Sequence, residues 1–437
     1  MLSYQSSLLP LAKQLAHLPH LAFFDSAQAD GPKNRYDILT CAPRKWWTWQ
    51  AGKLTGSDEG SFALAELADF LAKEQLPKDS TCNLPFNGGL VGLLRYNNEL
   101  LDISSKWPDQ AATLEIGLYD WAIVTDHKHQ TTQLYFHPFC SANTRKLVQN
   151  ALTTEPCQRT SFKLTSAWQS TWQASDYQAA FKRVKEYLVS GDCYQINLTQ
   201  AFRALYEGDL LSAYERLRNS VGSPFSGFFA TSHHSILSVS PERLLRINEN
   251  KEVEARPIKG TRPRSASAEQ DQANAQALLV SSKDKAENVM IVDLLRNDLG
   301  KVAEPGSVAV PTLFGLESYR NVHHMVSVVT AKLAKHVSPL DCLFSASPGG
   351  SITGAPKRRA MEIIDELEAQ PRSAYCGSLF YYAANGRLDA SILIRTMEAD
   401  GKELTVNGGG GIVYDSNANE EYEESLAKIR KLMQALE

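Results

Sequence analysis

The sequence predicts an α+β fold, a large composite of mostly antiparallel sheets with helices packed outside, and three observations carry that expectation. Strand-like runs and helical patterns alternate irregularly, without the regular strand–helix–strand rhythm of a parallel sheet. Several strand-like runs lie close enough in the chain to pair as hairpins, among them DWAIVTDHKHQTTQLYF, which turns at His127–Gln130. The 437-residue length exceeds what one simple core serves, so two domains or one composite domain are expected.

Taken in order, Tyr36–Trp49, Leu114–Thr125 and Gln130–Phe136 are rich in aromatic and β-branched residues and read as strands, with a helix at Ser61–Lys73. Residues 158–175 are polar, Ser/Thr-rich and weakly periodic, which marks a boundary between an N-terminal region, 1–165, and a second region, 175–432. Asp176–Ser190 places Tyr177, Phe181, Val184 and Leu188 on one helical stripe and stops at Gly191, a residue suited to the position after a helix. A strand pair follows, SILSVSPERLLRIN with KEVEARPIKGTR, and then helices at 283–296, 356–368 and 419–436 separated by mixed segments.

Composition narrows the function. Lys and Arg total 45 against 49 Asp and Glu, giving a net charge of −4 and a pI near 6.2, so nothing draws the chain to nucleic acid. The N-terminus lacks a basic start followed by a continuous apolar run, and no window approaches 18 apolar residues, so secretion and membrane insertion are disfavoured. Cysteines 41, 82, 140, 157, 193, 342 and 376 lack CxxC spacing, which points to reduced thiols and a cytoplasmic location.

Four residue groups could carry chemistry. In DKAENVMIVDLLRNDLG, Asp284 and Glu287 are three apart on one face of a helix whose apolar residues cover most of its circumference. They read either as acids complementing a helix N-terminus or as ligands for a hard cation. In NANEEYEESLAKIRKLM, Tyr422, Leu426, Ile429 and Met433 form a core stripe while Glu421, Glu424 and Lys428 form a second, with an i,i+4 ion pair. Before it, Asn407 and Gly408–Gly411 form a loop whose backbone could approach an anion. SPGGSITGAPKRRAMEIIDELE has Walker-like glycines at 349 and 354, but Ala355 stands where a phosphate-binding lysine is required, so a nucleotide site fails. There Pro356 suits a first helical turn, while Lys357, Arg358 and Arg359 either meet something anionic or form a solvated basic turn. Lys259 in RPIKGTR is on its own grounds a surface residue, and Glu242 and His324 are similarly ordinary in isolation; their joint occurrence raises them.

These segments together resemble the chorismate-utilising enzymes, the family that contains anthranilate, isochorismate, salicylate and aminodeoxychorismate synthases. The resemblance runs in order through GDCYQINLTQ, SPERLL, PIKGTRPR, KDKAENVMIVDLLRNDLGKV, SYRNVHHMVS, the glycine-containing motif above, YCGSLFYY, LDASILIRTM and NGGGGIVYDSNANEEYEESLAK. It implies an anthranilate-synthase-like fold in which 175–432 is the chorismate-binding catalytic domain. It also implies that Glu287 and Glu424 ligate Mg²⁺, with Asp284 or Glu421 assisting through water. The ring carboxylate of chorismate would lie on that ion and near Gly409, close to Lys428. Tyr375 and Arg395 would hold the enolpyruvyl carboxylate, Thr261 and His324 would line the pocket, and Glu242 would protonate the departing C4 hydroxyl.

Two positions separate the subgroups. Family members that add water carry a lysine where this chain has Gln195, and Lys259 occupies a place usually small in anthranilate synthases and typical of aminodeoxychorismate synthase. The resemblance therefore implies that the Lys259 amine attacks C2 and that ammonia then enters at C4, giving 4-amino-4-deoxychorismate, the precursor of p-aminobenzoate and folate. No G-x-C-x-G elbow is present, Tyr375–Cys376–Gly377 being the nearest, so a separate glutamine amidotransferase partner is expected to supply ammonia. The N-terminal region resembles a tryptophan pocket at Ser26, Arg35, Tyr36 and Asp37. The rival readings are an anthranilate synthase component I and a non-catalytic chorismate or tryptophan sensor.

Overall fold

The computed structural model describes residues 2–27, 35–79, 81–107, 111–154, 160–319 and 322–437. Cys157 and the first two residues of the expected boundary segment lie outside the described residues. Two large sheets stack face to face, and every strand pairing among the described residues is antiparallel. The side-chain alternation of the strands builds the layers. Ala22, Ile38, Ala122 and Val124 point from the first sheet toward Val91, Leu93, Leu379 and Tyr381 of the second, making the central core. The intervening residues Phe23, Leu39, Trp121 and Ile123 point the other way and meet helices Leu9–Leu15, Ala142–Thr153, Leu210–Val221 and Ala418–Leu436. The outer face of the second sheet is covered by Leu64–Glu74, Ser282–Gly300 and Pro339–Ala346, while Ala174–Ser190 and Lys357–Leu367 pack on Gln195–Glu207 of the first. Helices thus lie outside both sheets, as the α+β reading expects.

Both regions of the chain contribute to both sheets. Ala22–Asp25 pairs with Phe225–Ala230 in the first sheet, and Gly89–Leu94 pairs with Ser378–Ala383 in the second. Most strands from 1–165 gather toward one end of each sheet. At the opposite end stand Gln195–Glu207 with Glu403–Ile412 in one sheet, and Ile258–Pro263 with Val322–Lys332 in the other.

The helix expected at Asp176–Ser190 is present as Ala174–Ser190, closed by Gly191 at φ +83°, and Tyr177, Phe181, Val184 and Leu188 are its buried stripe. Four expectations need correction. The segment SILSVSPERLLRIN breaks at Pro241–Glu242: His234–Ser240 belongs to the first sheet and Arg243–Ile247 to the second, so the chain crosses between layers there. Ser282–Gly300 is buried on one face only, through Asn288, Ile291, Val292, Leu295, Asp298 and Leu299, because it lies on the outside of a sheet; Val289 is exposed. The four glycines belong to strand Glu403–Ile412 and not to a loop. The inward face of the terminal helix is Glu421, Ser425, Ile429, Leu432 and Leu436, shifted from the stripe read in the sequence.

The last two corrections share one cause. A Cβ on Gly408 would lie 2.5 Å from the Ser425 carbonyl oxygen, and one on Gly410 would lie 2.9 Å from Glu421 Oε2. The side-chain-free strand lets the helix backbone approach directly. Short Ser425 and polar Glu421 therefore face the sheet, where longer apolar residues were expected.

The candidate active site

A cavity of about 610 Å³ opens between the ends of the two sheets, and all twelve residues proposed for catalysis, substrate and metal line it: Glu242, Lys259, Thr261, Asp284, Glu287, His324, Tyr375, Arg395, Gly409, Glu421, Glu424 and Lys428. Each arrives by an identifiable local device.

Glu242 sits at the crossover between sheets. Its backbone N–H is held by the Ser240 hydroxyl at 3.2 Å and its carbonyl accepts the Ile392 N–H at 3.0 Å, which fixes the side chain inward. Burial pushes its carboxyl up to about 7; Lys259, the Ile258 N–H, the Ser351 hydroxyl and Arg395 oppose that rise only in part. A carboxylic acid still protonated near neutrality is a proton donor in waiting.

Lys259 projects from Ile258–Pro263, which pairs with Val322–Lys332 and shifts register between Lys259 and Thr261. The extra residue in that shift is Gly260, at φ +76°, and a Cβ there would meet Asp284 at 2.8 Å. Glycine thus allows the strand to bulge against helix Ser282–Gly300 and bring Lys259 beside its acids. Lys259 Nζ is 3.5 Å from Glu287 Oε2, with both side chains largely buried. One position on, the Thr261 hydroxyl is 2.9 Å from His324 Nδ1.

Each acid has its own partner, a cation for Asp284 and Glu424 and a hydroxyl for Glu421. Arg262 donates to Asp284 at 3.0 Å, Lys428 lies 2.8 Å from Glu424 while donating to the Gly409 carbonyl at 2.9 Å, and Glu421 accepts from the Ser416 hydroxyl at 2.7 Å. Burial raises Glu421, and neighbouring Glu424 adds to the rise; Glu424 itself, despite desolvation, falls below its ordinary value because Lys428, Lys283 and Lys259 surround it. Among the described residues no three His, Cys, Asp or Glu side chains converge as a ready-made metal cage. The donor set still suits a hard cation that keeps few carboxylates and takes its remaining oxygens from substrate and water, since two glutamates from one helix and acids from another face the same space.

Tyr375 and Arg395 flank the opposite wall. Arg395 is held at φ +51° and Cys376, next to Tyr375, at φ +68°, backbone conformations that cost a side-chain-bearing residue roughly 1 kcal/mol or more. Arg395 is pulled below its usual value by burial, with Glu242 partly offsetting it. Sequence reasoning missed Asn197, Ser351, Arg262 and Lys283, which also line the cavity. All four sit inside motifs already singled out, yet nothing local told that Asn197 of GDCYQINLTQ faces inward. Gln195 is fully buried with its side chain against Gly411, and neither its amide oxygen nor its nitrogen has a hydrogen-bond partner.

The basic turn finds its anions within the chain. Lys357 reaches Asp298 at 2.6 Å, Arg359 reaches Asp192 at 2.9 Å, and Arg358 donates to the Leu101 and Asp102 carbonyls. Pro356 takes the N-cap position. The residues proposed for a tryptophan pocket separate into two environments. Ser26 donates through N–H and hydroxyl to Asp37 Oδ1, at 2.9 and 2.7 Å, in a buried cluster with His127. Arg35 and Tyr36 instead line a wider cleft of about 1750 Å³. There the charges are spent on each other, as in Arg243–Asp389, Arg387–Glu249 and Arg35–Asp126, which leaves the smaller cavity as the candidate active site. The described cysteines are all unpaired, and among the described residues no helix is long and apolar enough to cross a membrane.

A family model described as chorismate binding enzyme matches residues 28–434. Aminodeoxychorismate synthase component 1 of Salmonella typhimurium is 44% identical over 439 residues, covering 96% of this chain and 94% of that protein. The protein of the same name from Escherichia coli K12 is 42% identical, covering 97% and 95%. Among solved structures, anthranilate synthase component I from Streptococcus pneumoniae superposes with a TM-score of 0.80 at 28% identity, covering 92% of this chain and 93% of that one.

Proposed function

The chain belongs to the chorismate-binding enzyme family, and from that premise we propose that it is the chorismate-aminating component of an aminodeoxychorismate synthase, converting chorismate and ammonia to 4-amino-4-deoxychorismate. The observation that carries the reading is Lys259 beside Glu242 on one cavity wall, the acid pushed up to about 7 by burial.

Arg395 and Tyr375 hold the enolpyruvyl carboxylate, Arg395 by a charge-assisted contact in a desolvated wall. Lys428, anchored on the Gly409 carbonyl, presents positive charge to the ring carboxylate. Glu242 gives its proton to the C4 hydroxyl, which leaves as water while the Lys259 amine forms a bond to C2 and both ring double bonds shift, C1=C2 to C6=C1 and C5=C6 to C4=C5. Ammonia then bonds to C4, both double bonds return, the C2–Nζ bond breaks to release Lys259 as the neutral amine, and the new ammonium can return a proton to Glu242. Two displacements of modest difficulty replace one hard substitution. Glu287 and Glu424, with Asp284 and Glu421 behind them, would hold Mg²⁺, which when bound supplies charge neutralisation for the ring carboxylate. Gln195 supports amination over hydration, because a buried amide cannot take a proton from water. Ammonia comes from a separate glutaminase partner, and ammonium salts replace it in vitro.

Incubation with chorismate, Mg²⁺ and ammonium tests the assignment. Aminodeoxychorismate is the expected product; anthranilate in its place would transfer the chain to the rival synthase, and no turnover would favour a sensor.

A further inference from the structure

Behind the cavity, outside its lining, lies a buried ion pair. Glu368 follows helix Lys357–Leu367, and Arg372 lies one turn on; their side chains are 5% and 1% exposed. Arg372 grips Glu368 with both arms of its fork, Nε to Oε2 at 2.9 Å and Nη2 to Oε1 at 2.7 Å. The same guanidinium donates to the Asn197 carbonyl at 2.6 Å and the Ile352 carbonyl at 2.8 Å, and rests on the Tyr96 ring at 4.8 Å. Its own carbonyl accepts the Tyr375 N–H at 3.1 Å. Glu368 Oε1, in turn, accepts both the N–H and the hydroxyl of Thr199, at 3.0 and 2.9 Å. Thr199 pairs with Gly409 across the strands, and its Cγ2 stands 2.4 Å from where a Gly409 Cβ would be.

We propose that the Glu368–Arg372 pair positions the carboxylate-binding wall of the cavity, holding Asn197, Ile352, Tyr375 and, through Thr199, Gly409 in register, and so sets substrate affinity without taking part in bond making. Two cavity-lining residues, Asn197 and Ile352, meet the guanidinium directly, Gly409 is reached from the carboxylate through Thr199, and Tyr375 is tied to the Arg372 backbone. A buried guanidinium must satisfy its donors wherever it lies, and here two of its acceptors are carbonyls of residues that line the cavity. The planar fork is what fits this arrangement, since it donates in several fixed directions at once and a lysine cannot. Arg372 and Glu368 are positioning residues: neither reaches the cavity.

The proposal rests on the reading of the cavity as the chorismate site, and the test separates the two by following chorismate consumption whatever the product. Steady-state kinetics of the full chain with ammonium would be compared for Arg372→Lys, Glu368→Gln and the near-isosteric Thr199→Val. Melting curves would establish that each variant is folded. The expected result is a KM for chorismate raised about tenfold in Arg372→Lys and severalfold in the other two, with kcat within about threefold of the parent. Methylguanidinium added to Arg372→Ala should lower its KM without moving that of the parent. Unchanged KM in folded variants, or a fall in kcat at constant KM, would overturn the proposal. Loss of folded protein in both Arg372→Lys and Glu368→Gln would also overturn it, because the pair would then be holding the fold and not the wall.

Discussion

Glu242 and Lys259 show how environment assigns roles to residues that are ordinary in isolation. Burial raises the Glu242 carboxyl to about 7, so its protonated fraction falls as pH rises through that value. With free ammonia held constant, the pH–rate profile of kcat/KM should therefore carry an inflection near pH 7 that Glu242→Gln removes. The same inflection persisting in Glu242→Gln would mean another group donates the proton. Glu242→Gln, which keeps the shape but cannot give up a proton to form a stable anion, should lose at least about a hundredfold in kcat. Lys259→Ala should likewise remove most ammonia-dependent turnover while leaving the melting temperature nearly unchanged, because the lysine's ion pair with Glu287 is at the wall of a cavity. Near-normal aminodeoxychorismate formation by that variant would show that no covalent lysine step is required.

At the scale of elements, the glycine strand and the terminal helix depend on each other. Gly408→Ala places a methyl 2.5 Å from the Ser425 carbonyl oxygen, a backbone atom that cannot swing aside, so the helix must move outward. The expected cost is about 1–3 kcal/mol, seen as a lowered urea midpoint, together with weaker chorismate binding as Glu421, Glu424 and Lys428 move with the helix. Gly300→Ala is the contrast: a Cβ there meets nothing within 4 Å, and the change should be neutral or stabilising by up to about 1 kcal/mol. The same pairing explains what was legible beforehand. Ala174–Ser190 was readable because stripe and stop signal are local to it. The glycine run reads as a loop because single-chain grammar treats glycine as a turn residue; only the helix packed on it, some ten residues away, reveals a strand stripped of side chains for close approach. Leu210–Val221 passed unread although Asp209 caps its first turn and Leu211, Tyr214 and Leu217 form a buried stripe. The site residues emerged through the resemblance, while Asn197 and the Glu368–Arg372 pair depend on packing between distant segments, which no local pattern encodes.

At the scale of the whole molecule, the two sheets run without interruption through residues on both sides of the polar segment near 158–175. Backbone ladders join Ala22–Asp25 to Phe225–Ala230 and Gly89–Leu94 to Ser378–Ala383, and the central core draws Ala22, Ile38 and Val91 together with Leu379, Tyr381 and Leu393. Separating the N-terminal strands would expose that core and leave two sheet edges unpaired, so neither part should outlast the other. The distribution of tryptophan makes this measurable, because Trp46, Trp47, Trp49 and Trp121, four of the seven, stand on the N-terminal strands. Tryptophan fluorescence therefore reports mainly those strands, while chorismate turnover reports the cavity at the far ends of the sheets. In a urea titration the two signals should change together at one midpoint. Loss of turnover well before the fluorescence transition, with far-UV circular dichroism falling in two steps, would mean that the catalytic end unfolds on its own and that the shared sheets do not couple the two halves.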